Sequence, residues 1–226
     1  MKKTIVENRF DNVARDYDKL KVQIIPKYRE VEKLVLEYIN FPKNQRIEIL
    51  ELGTGTGLFA SKLLLKFPRA RYFGIDLSDK MLEVASHKLK NYRDRVELQK
   101  VDLNKKELLG KYDLIVSFFT IHHVLNKKAF IEHLHKLLKK AGVFIFADVT
   151  IADHKILEDT FINRWKSFIK STSLPNRKIK NIIDDHLQND RPEDIEKLLA
   201  HFKKAGFKCY APIWVYEKFA LFYAKK

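Results

Sequence analysis

The chain has 226 residues, 46% of them hydrophobic, and its 44 lysines and arginines against 29 acidic residues leave a net charge of +15. That length suits one domain with a buried core. No apolar run reaches the ~18 residues of a membrane span, and a lone cysteine, Cys209, excludes an internal disulfide and a cysteine-built zinc site. The opening stretch 1–9 carries charges where a signal peptide needs an apolar centre, so a cytoplasmic setting is expected. The excess lysines (Lys62, Lys66, Lys136, Lys139, Lys197, Lys203 among them) are spread along helix faces rather than gathered in a block. They read as a solvated surface; a nucleic-acid partner stays open but is not favoured.

Residues 1–45 read as helical. An amphipathic stretch from Arg9 to Asp18 precedes a second helix in which Val31, Leu34, Val35, Tyr38 and Ile39 recur at helical spacing, ended by Phe41-Pro42-Lys43-Asn44. From residue 46 strands and helices alternate. Ile47, Ile49, Leu50 and Leu52 predict a buried strand, and Leu58 to Phe67 a helix. A second strand runs to Asp76, and Ser78 caps a helix through Met81, Val84, Ala85 and Leu89. A third strand ends at Asp102 and a fourth spans Tyr112 to Phe118. A helix over 127–139, stopped by Lys140-Ala141-Gly142, leads into a fifth strand, Val143 to Val149. This alternation implies a mostly parallel sheet with helices on both faces.

Residues 150–190 break the rhythm. A helix is expected over 156–169, then, after Pro175, a polar segment ending in Asp184-Asp185-His186, read together as an insertion on the ligand side. The remainder, 191–226, predicts a helix stopped at Ala205-Gly206 and two closely spaced strands forming an antiparallel hairpin.

Three of the seven glycines, Gly53, Gly55 and Gly57, fall between the first strand and its helix. Glycine accepts positive φ cheaply and lets a ligand approach the main chain. A phosphate loop of the nucleotide-hydrolase type needs Gly-Lys-Ser/Thr, but Leu58 and Phe59 follow Gly57. The dinucleotide fingerprint places its last glycine one residue later.

The run Glu51-Leu52-Gly53-Thr54-Gly55-Thr56-Gly57 resembles the first motif of class I S-adenosylmethionine-dependent methyltransferases. The next strand ends fit the same family. Asp76-Leu77 stands where the family's acidic residue takes both ribose hydroxyls, Asp102-Leu103 where its adenine contacts lie, and Ser117-Phe118 where its backbone meets the methionine portion. Phe10-Asp11-Asn12-Val13-Ala14-Arg15-Asp16-Tyr17-Asp18 resembles the opening of small-molecule methyltransferases related to quinone-biosynthesis enzymes, which would bring Tyr17 over the cofactor. The stretch 190–222 is similar to a broad bacterial set of such enzymes.

The resemblance implies a three-layer Rossmann-like fold with a seven-stranded, mostly parallel sheet, an antiparallel C-terminal hairpin and a helical cap. It implies one methyltransferase domain over 1–226, with a cofactor core at 46–149. It also implies S-adenosyl-L-methionine bound by Tyr17, Glu51, Gly53, Thr54, Gly55, Gly57, Asp76, Leu77, Met81, Asp102, Leu103, Ser117 and Phe118. Read as residues alone, Asp76 also suits a helix cap, Met81 a core position and Asp102 a turn.

Catalytic candidates are His122 and His123, after the fourth strand, because histidine titrates near neutrality. Together with Asp148 and Asp184-Asp185-His186 they have the ligand chemistry for a divalent metal, but spacing fixes nothing and no metal site is assigned. Trp165, Trp214 and Tyr216 belong either to an acceptor pocket or to the core. The function expected is methyl transfer to a small-molecule acceptor by a monomer or homodimer that uses no membrane. The alternatives are an RNA methyltransferase, a non-catalytic binder of the same cofactor and, last, a nicotinamide-linked reductase.

Overall fold

A computed structural model of the protein describes residues 4–226. Three helices, α1 (Ile5–Val13), α2 (Tyr17–Ile24) and α3 (Tyr28–Tyr38), precede an alternating region. That region runs β1 (Glu48–Leu52), α4 (Leu58–Lys66), β2 (Arg71–Asp76), α5 (Asp79–Lys88), β3 (Val96–Lys100), β4 (Tyr112–Phe118), α6 (Lys127–Leu137) and β5 (Leu138–Val149). Two helices, α7 (Lys155–Lys170) and α8 (Asn176–Asn189), interrupt it. The chain closes with α9 (Ile195–Ala205), β6 (Cys209–Tyr216) and β7 (Phe219–Lys225).

The seven strands form one sheet in the order β3-β2-β1-β4-β5-β7-β6. Strands β1 to β5 are parallel, and β7 inserts antiparallel between β5 and β6. Period-2 alternation decides which side chain enters which layer. Ile49, Leu114, Val116, Ile145 and Leu221 pack with α3, α4 and α7 on one face. Leu50, Leu52, Ile115, Phe144, Phe146 and Phe222 pack with α6 and α9 on the other. Strand order reverses between β1 and β4, so their connections leave in opposite directions and open a crevice at the strands' carboxyl ends.

Two local expectations fail, each for a tertiary reason. Helix α6 stops at Leu137, before Lys140-Ala141-Gly142, because Leu138 turns extended (φ −69°, ψ 138°) and pairs with Tyr112 in the sheet. Leu138 is buried in the second-face core, and Ala141 rather than Gly142 takes the left-handed kink (φ 62°). The polar segment after Pro175 is the helix α8. Its apolar side chains Ile179, Ile182 and Ile183 reach the first-face core, and α8 packs against α7. So few apolar residues among so many charges hide a narrow helical stripe.

Candidate active site

The β1–α4 turn is built by its glycines. Gly53, Gly55 and Gly57 all have positive φ (71°, 54° and 72°), the left-handed region that other residues enter at a cost. The Gly53 and Thr54 amides both donate to the Ile75 carbonyl at 2.9 Å, which ties the turn to the end of β2. A methyl group added at Gly53 would stand 2.1 Å from Thr120 Oγ1, so that glycine is required by packing. One added at Gly55 would meet only Tyr17 Cε1, at 3.9 Å, so Gly55 faces open space.

That space is a cleft of about 940 Å³, open to solvent at its mouth. Its walls include Tyr17, Glu51, Gly53, Thr54, Gly55, Asp76, Leu77, Met81, Asp102, Leu103 and Phe118. Two expected cofactor residues lie elsewhere. Gly57 backs onto Ala85 and Leu89 of the α5 segment, and the buried Ser117 hydroxyl donates to the Leu52 carbonyl (2.9 Å), bracing β1 against β4. Sequence reasoning missed Lys21, Asn104, Phe119 and Thr120 in the walls, because nothing local marks a residue that a distant strand end adopts.

Asp76 anchors the polar end of the cleft. Its Oδ2 accepts from the Gly55 amide (2.8 Å) and its Oδ1 from Ser78 (2.9 Å). Burial raises its pKa to about 6, opposed by backbone N–H groups of Ser78, Gly55 and Leu77. Ser78 also caps α5, accepting from the Met81 amide at 3.1 Å. Glu51, at the end of β1, is buried and accepts from the Tyr72 hydroxyl. Burial pushes its pKa up to about 8, so its carboxyl is mostly neutral at pH 7.

The motif around residues 10–18 works as a strap. Asp11 Oδ1 accepts from the Ser78 hydroxyl (2.6 Å), while Asp18 accepts from Thr56 Oγ1 (2.6 Å) and Lys88 Nζ (2.5 Å). These bonds fasten α1 and α2 across the glycine turn and turn Phe10 and Tyr17 into its walls. Phe10 and Tyr17 meet edge-on, and burial raises the Tyr17 pKa to about 12, so the phenol stays protonated.

A second, larger cavity of about 1470 Å³ shares Phe10, Tyr17 and Phe119 with the first. Phe119 sits at φ 52°, a strained conformation for a bulky residue, held by its amide donating to the Ala147 carbonyl (2.8 Å). Leu20, Ile24, Val149, Trp165, Ile182 and Phe219 make this cavity mostly apolar. Trp165 therefore does reach a pocket, while Trp214 and Tyr216 stack on each other outside both cavities.

One end of the second cavity is polar. His122 and His123 lie on a short 3-10 turn (Ile121–His123) with ring centroids 4.0 Å apart. The turn is stapled to the chain before α9: Arg191 donates its amide to the His122 carbonyl (3.0 Å), and buried Lys127 donates to the carbonyls of Val124 (2.7 Å) and Arg191 (2.5 Å). Asp148, at the end of β5, accepts from the His122 amide (2.9 Å) and from its Nδ1. Burial disfavours charge on His122, but Asp148 outweighs it and raises the pKa. Burial, with His122 beside it, holds His123 neutral. Asp190, which the sequence did not single out, completes the group. His123 borders the first cleft and His122 the second cavity.

The sheet order and the cleft at its carboxyl edge are similar to those of class I S-adenosylmethionine-dependent methyltransferases of the small-molecule type. A methyltransferase-domain family matches residues 50–144, from within β1 to within β5. The chain is 35% identical to the malonyl-[acyl-carrier protein] O-methyltransferase of Priestia megaterium over 64% of its own length, spanning about half (51%) of that relative. It is 24% identical to the carboxy-S-adenosyl-L-methionine synthase of Campylobacter hominis over 96% of this chain and 93% of that one. Among solved structures, a phosphoethanolamine N-methyltransferase of Haemonchus contortus, bound to S-adenosylhomocysteine and phosphomonomethylethanolamine, superposes with a TM-score of 0.68. It covers 96% of this chain and 58% of its own at 15% identity, a likeness of fold alone.

Proposed function

We propose that the protein transfers the methyl group of S-adenosyl-L-methionine to a small, largely apolar acceptor held in the second cavity. The observation that carries this reading is the junction of the two cavities at Phe10, Tyr17 and Phe119, with His123 on the cofactor side and His122 on the other. The cofactor fits the first cleft: Gly55 leaves room against the main chain, and Asp76 is a buried carboxylate held facing it. When bound, the cofactor supplies a methyl group on positively charged sulfur, an electrophile that needs no further activation.

The chain's own residues then have to position and to exclude water, and alignment of reacting groups is worth up to ~7–11 kcal/mol. Asp76 holds the nucleoside, Met81 and Leu103 flank it, and the α1–α2 strap closes over the cleft with Phe10 and Tyr17. His122 and His123, with Asp190, form the polar end that receives the acceptor's heteroatom. We propose that residues 1–226 act as one unit, with 1–45 and 150–190 lying over the 46–149 core. The setting proposed is cytoplasmic, as a monomer or homodimer acting on small molecules. Among the described residues no helix is long and apolar enough to cross a membrane.

A second reading, in which S-adenosylmethionine is itself the molecule modified, is favoured by the end-to-end match to carboxy-S-adenosyl-L-methionine synthase. Lys21, ion-paired with Asp18 at 3.1 Å, lines the cleft and sets a basic group beside it. One experiment tests both: the protein is incubated with isotopically labelled S-adenosylmethionine and a metabolite panel, and products are read by mass spectrometry. S-adenosylhomocysteine with a labelled acceptor supports methyl transfer; a heavier, carboxylated sulfonium, its carboxyl taken as CO₂ from a carboxylic acid of the panel with the methyl proton passed to the fragment left behind, supports the second reading. Failure to bind S-adenosylhomocysteine in calorimetry refutes both.

A further inference from the structure

Where the polar end of the second cavity meets the first cleft, three side-chain atoms converge. His122 Nε2 lies 3.7 Å and His123 Nδ1 3.4 Å from Asp190 Oδ1, and the three atoms lie within 4.8 Å of one another. His123 Nδ1 and Asp190 Oδ1 are buried and, beyond their own long approach of 3.4 Å, make no hydrogen bond among the described residues. The Asp190 side chain is only 8% exposed. Such orphaned atoms are costly unless something occupies the space they face.

The remaining atoms of the trio are engaged. His122 Nδ1 is bonded to Asp148, which also takes the His122 amide (2.9 Å), so with a neutral ring the lone pair is on Nε2. Asp190 Oδ2 accepts from His186 Nδ1 (2.6 Å), and the far nitrogen of that ring, Nε2, accepts from the buried Lys218 ammonium (2.8 Å). A carboxylate behind a histidine is how metal-ligating imidazoles are oriented and made more basic. Two imidazoles and one carboxylate, with the remaining side open to a cavity, form the donor set of catalytic zinc and non-haem iron sites. Tetrahedral ligation at ~2.1 Å separates ligand atoms by roughly 3.4 Å, close to two of the gaps found here.

We propose that His122 Nε2, His123 Nδ1 and Asp190 Oδ1 bind a divalent transition-metal ion whose open face points into the second cavity, where it takes an oxygen of the acceptor. The inference rests on the methyltransferase reading and specifies it: the acceptor is an oxygen compound, held by a Lewis acid. Arg9 marks the state without the ion. Its Nη2 donates to His123 Nε2 (3.1 Å), and since arginine only donates, the ring proton must then sit on Nδ1. An ion on Nδ1 moves that proton to Nε2, and Arg9 falls back on Asp185, its other partner. Metal binding thus competes with one hold of α1 on the site.

The test starts from protein stripped with EDTA and dialysed against Zn²⁺ or Co²⁺, with bound metal measured by elemental mass spectrometry. One ion per chain is expected, with the Co²⁺ form showing the intense visible bands of a four- or five-coordinate site. Asp190→Asn and His122→Gln should each weaken Zn²⁺ at least 100-fold, and Asp148→Asn, behind His122, by roughly 10- to 100-fold. Arg9→Ala should tighten Zn²⁺ severalfold, a gain that misfolding does not produce. Absence of a bound ion, or binding unchanged in both Asp190→Asn and His122→Gln, overturns the site. An unchanged or weakened affinity in Arg9→Ala overturns the competition. Calorimetry with S-adenosylhomocysteine in EDTA separates the two levels: stripped protein that binds cofactor but takes up no added metal removes this inference alone, and no cofactor bound removes the reading beneath it.

Discussion

Removing the Asp76 carboxylate tests the cofactor cleft where most of its geometry meets. Two ribose hydroxyls donating to an ionised carboxylate would each contribute about 1.5–3 kcal/mol net. Water and slack in the cleft recover part of that, so Asp76→Ala should cost about 3 kcal/mol, or roughly 150-fold in affinity for S-adenosylhomocysteine. The same oxygens accept from Gly55 and Ser78, so the variant also loses two fold-stabilising bonds. At neutral pH their loss is offset by removal of a buried carboxylate whose pKa is raised, so Tm should stay near that of wild type and the melt should stay cooperative. The wild type provides an independent check. Burial raises the Asp76 pKa to about 6. Ligand hydroxyls favour the ionised form, so binding is strongest above that pH and weakens as pH falls through it. At pH 5 about a tenth of the carboxyl is ionised, which predicts a roughly tenfold loss of affinity relative to pH 7. Glu51, with its pKa near 8, is mostly protonated across this window and does not mask the effect. Isothermal calorimetry reads both quantities. Affinity that stays flat from pH 5 to 7, with Asp76→Ala within threefold of wild type, would refute the assignment of Asp76 to the nucleoside.

The two glycines beside the cleft should respond differently. Gly55→Ala places its methyl in open space and adds about 1–2 kcal/mol of left-handed strain, so the fold survives while S-adenosylhomocysteine affinity falls at least tenfold. Gly53→Ala drives its methyl into Thr120 and should cost about 3–4 kcal/mol of stability, seen as the larger drop in Tm. Glu51→Gln removes a group whose folded pKa, about 8, lies far above the ordinary glutamate value. Wild-type stability therefore declines from about pH 4.3 up to pH 8, and the variant should melt above wild type at pH 8, the gap shrinking toward pH 4. Ile182→Trp should narrow the second cavity, leaving S-adenosylhomocysteine affinity unchanged while methyl transfer falls. Equal loss of both would show that the two cavities do not divide the work.

That most of the residues expected at the cofactor line one cleft could be read from the chain because their determinants are local. Gly53, Gly55 and Gly57 must take positive φ within five residues. Asp76 ends the six-residue β2 and lies two residues before the helix cap Ser78. Each can be found by counting along the sequence. The two expected residues outside the cleft, Gly57 and Ser117, have the right backbone address, but their local packing turns them to helix contact and strand bracing. The polar segment after Pro175 concealed α8, since its few apolar positions gain their value only from α7 and the core beneath.

Periodicity and a glycine turn were enough to determine the parallel sheet, its antiparallel closing hairpin and the edge at which the cleft opens, because strand alternation and positive φ are properties of neighbouring residues. The meeting of His122 and His123 with Asp190, backed by Asp148, His186 and Lys218, was decided only by the tertiary structure. Those residues come from the ends of β4 and β5, the end of α8 and the β6–β7 turn. Their distances are set by sheet order and helix packing, and spacing along the chain carries no trace of them.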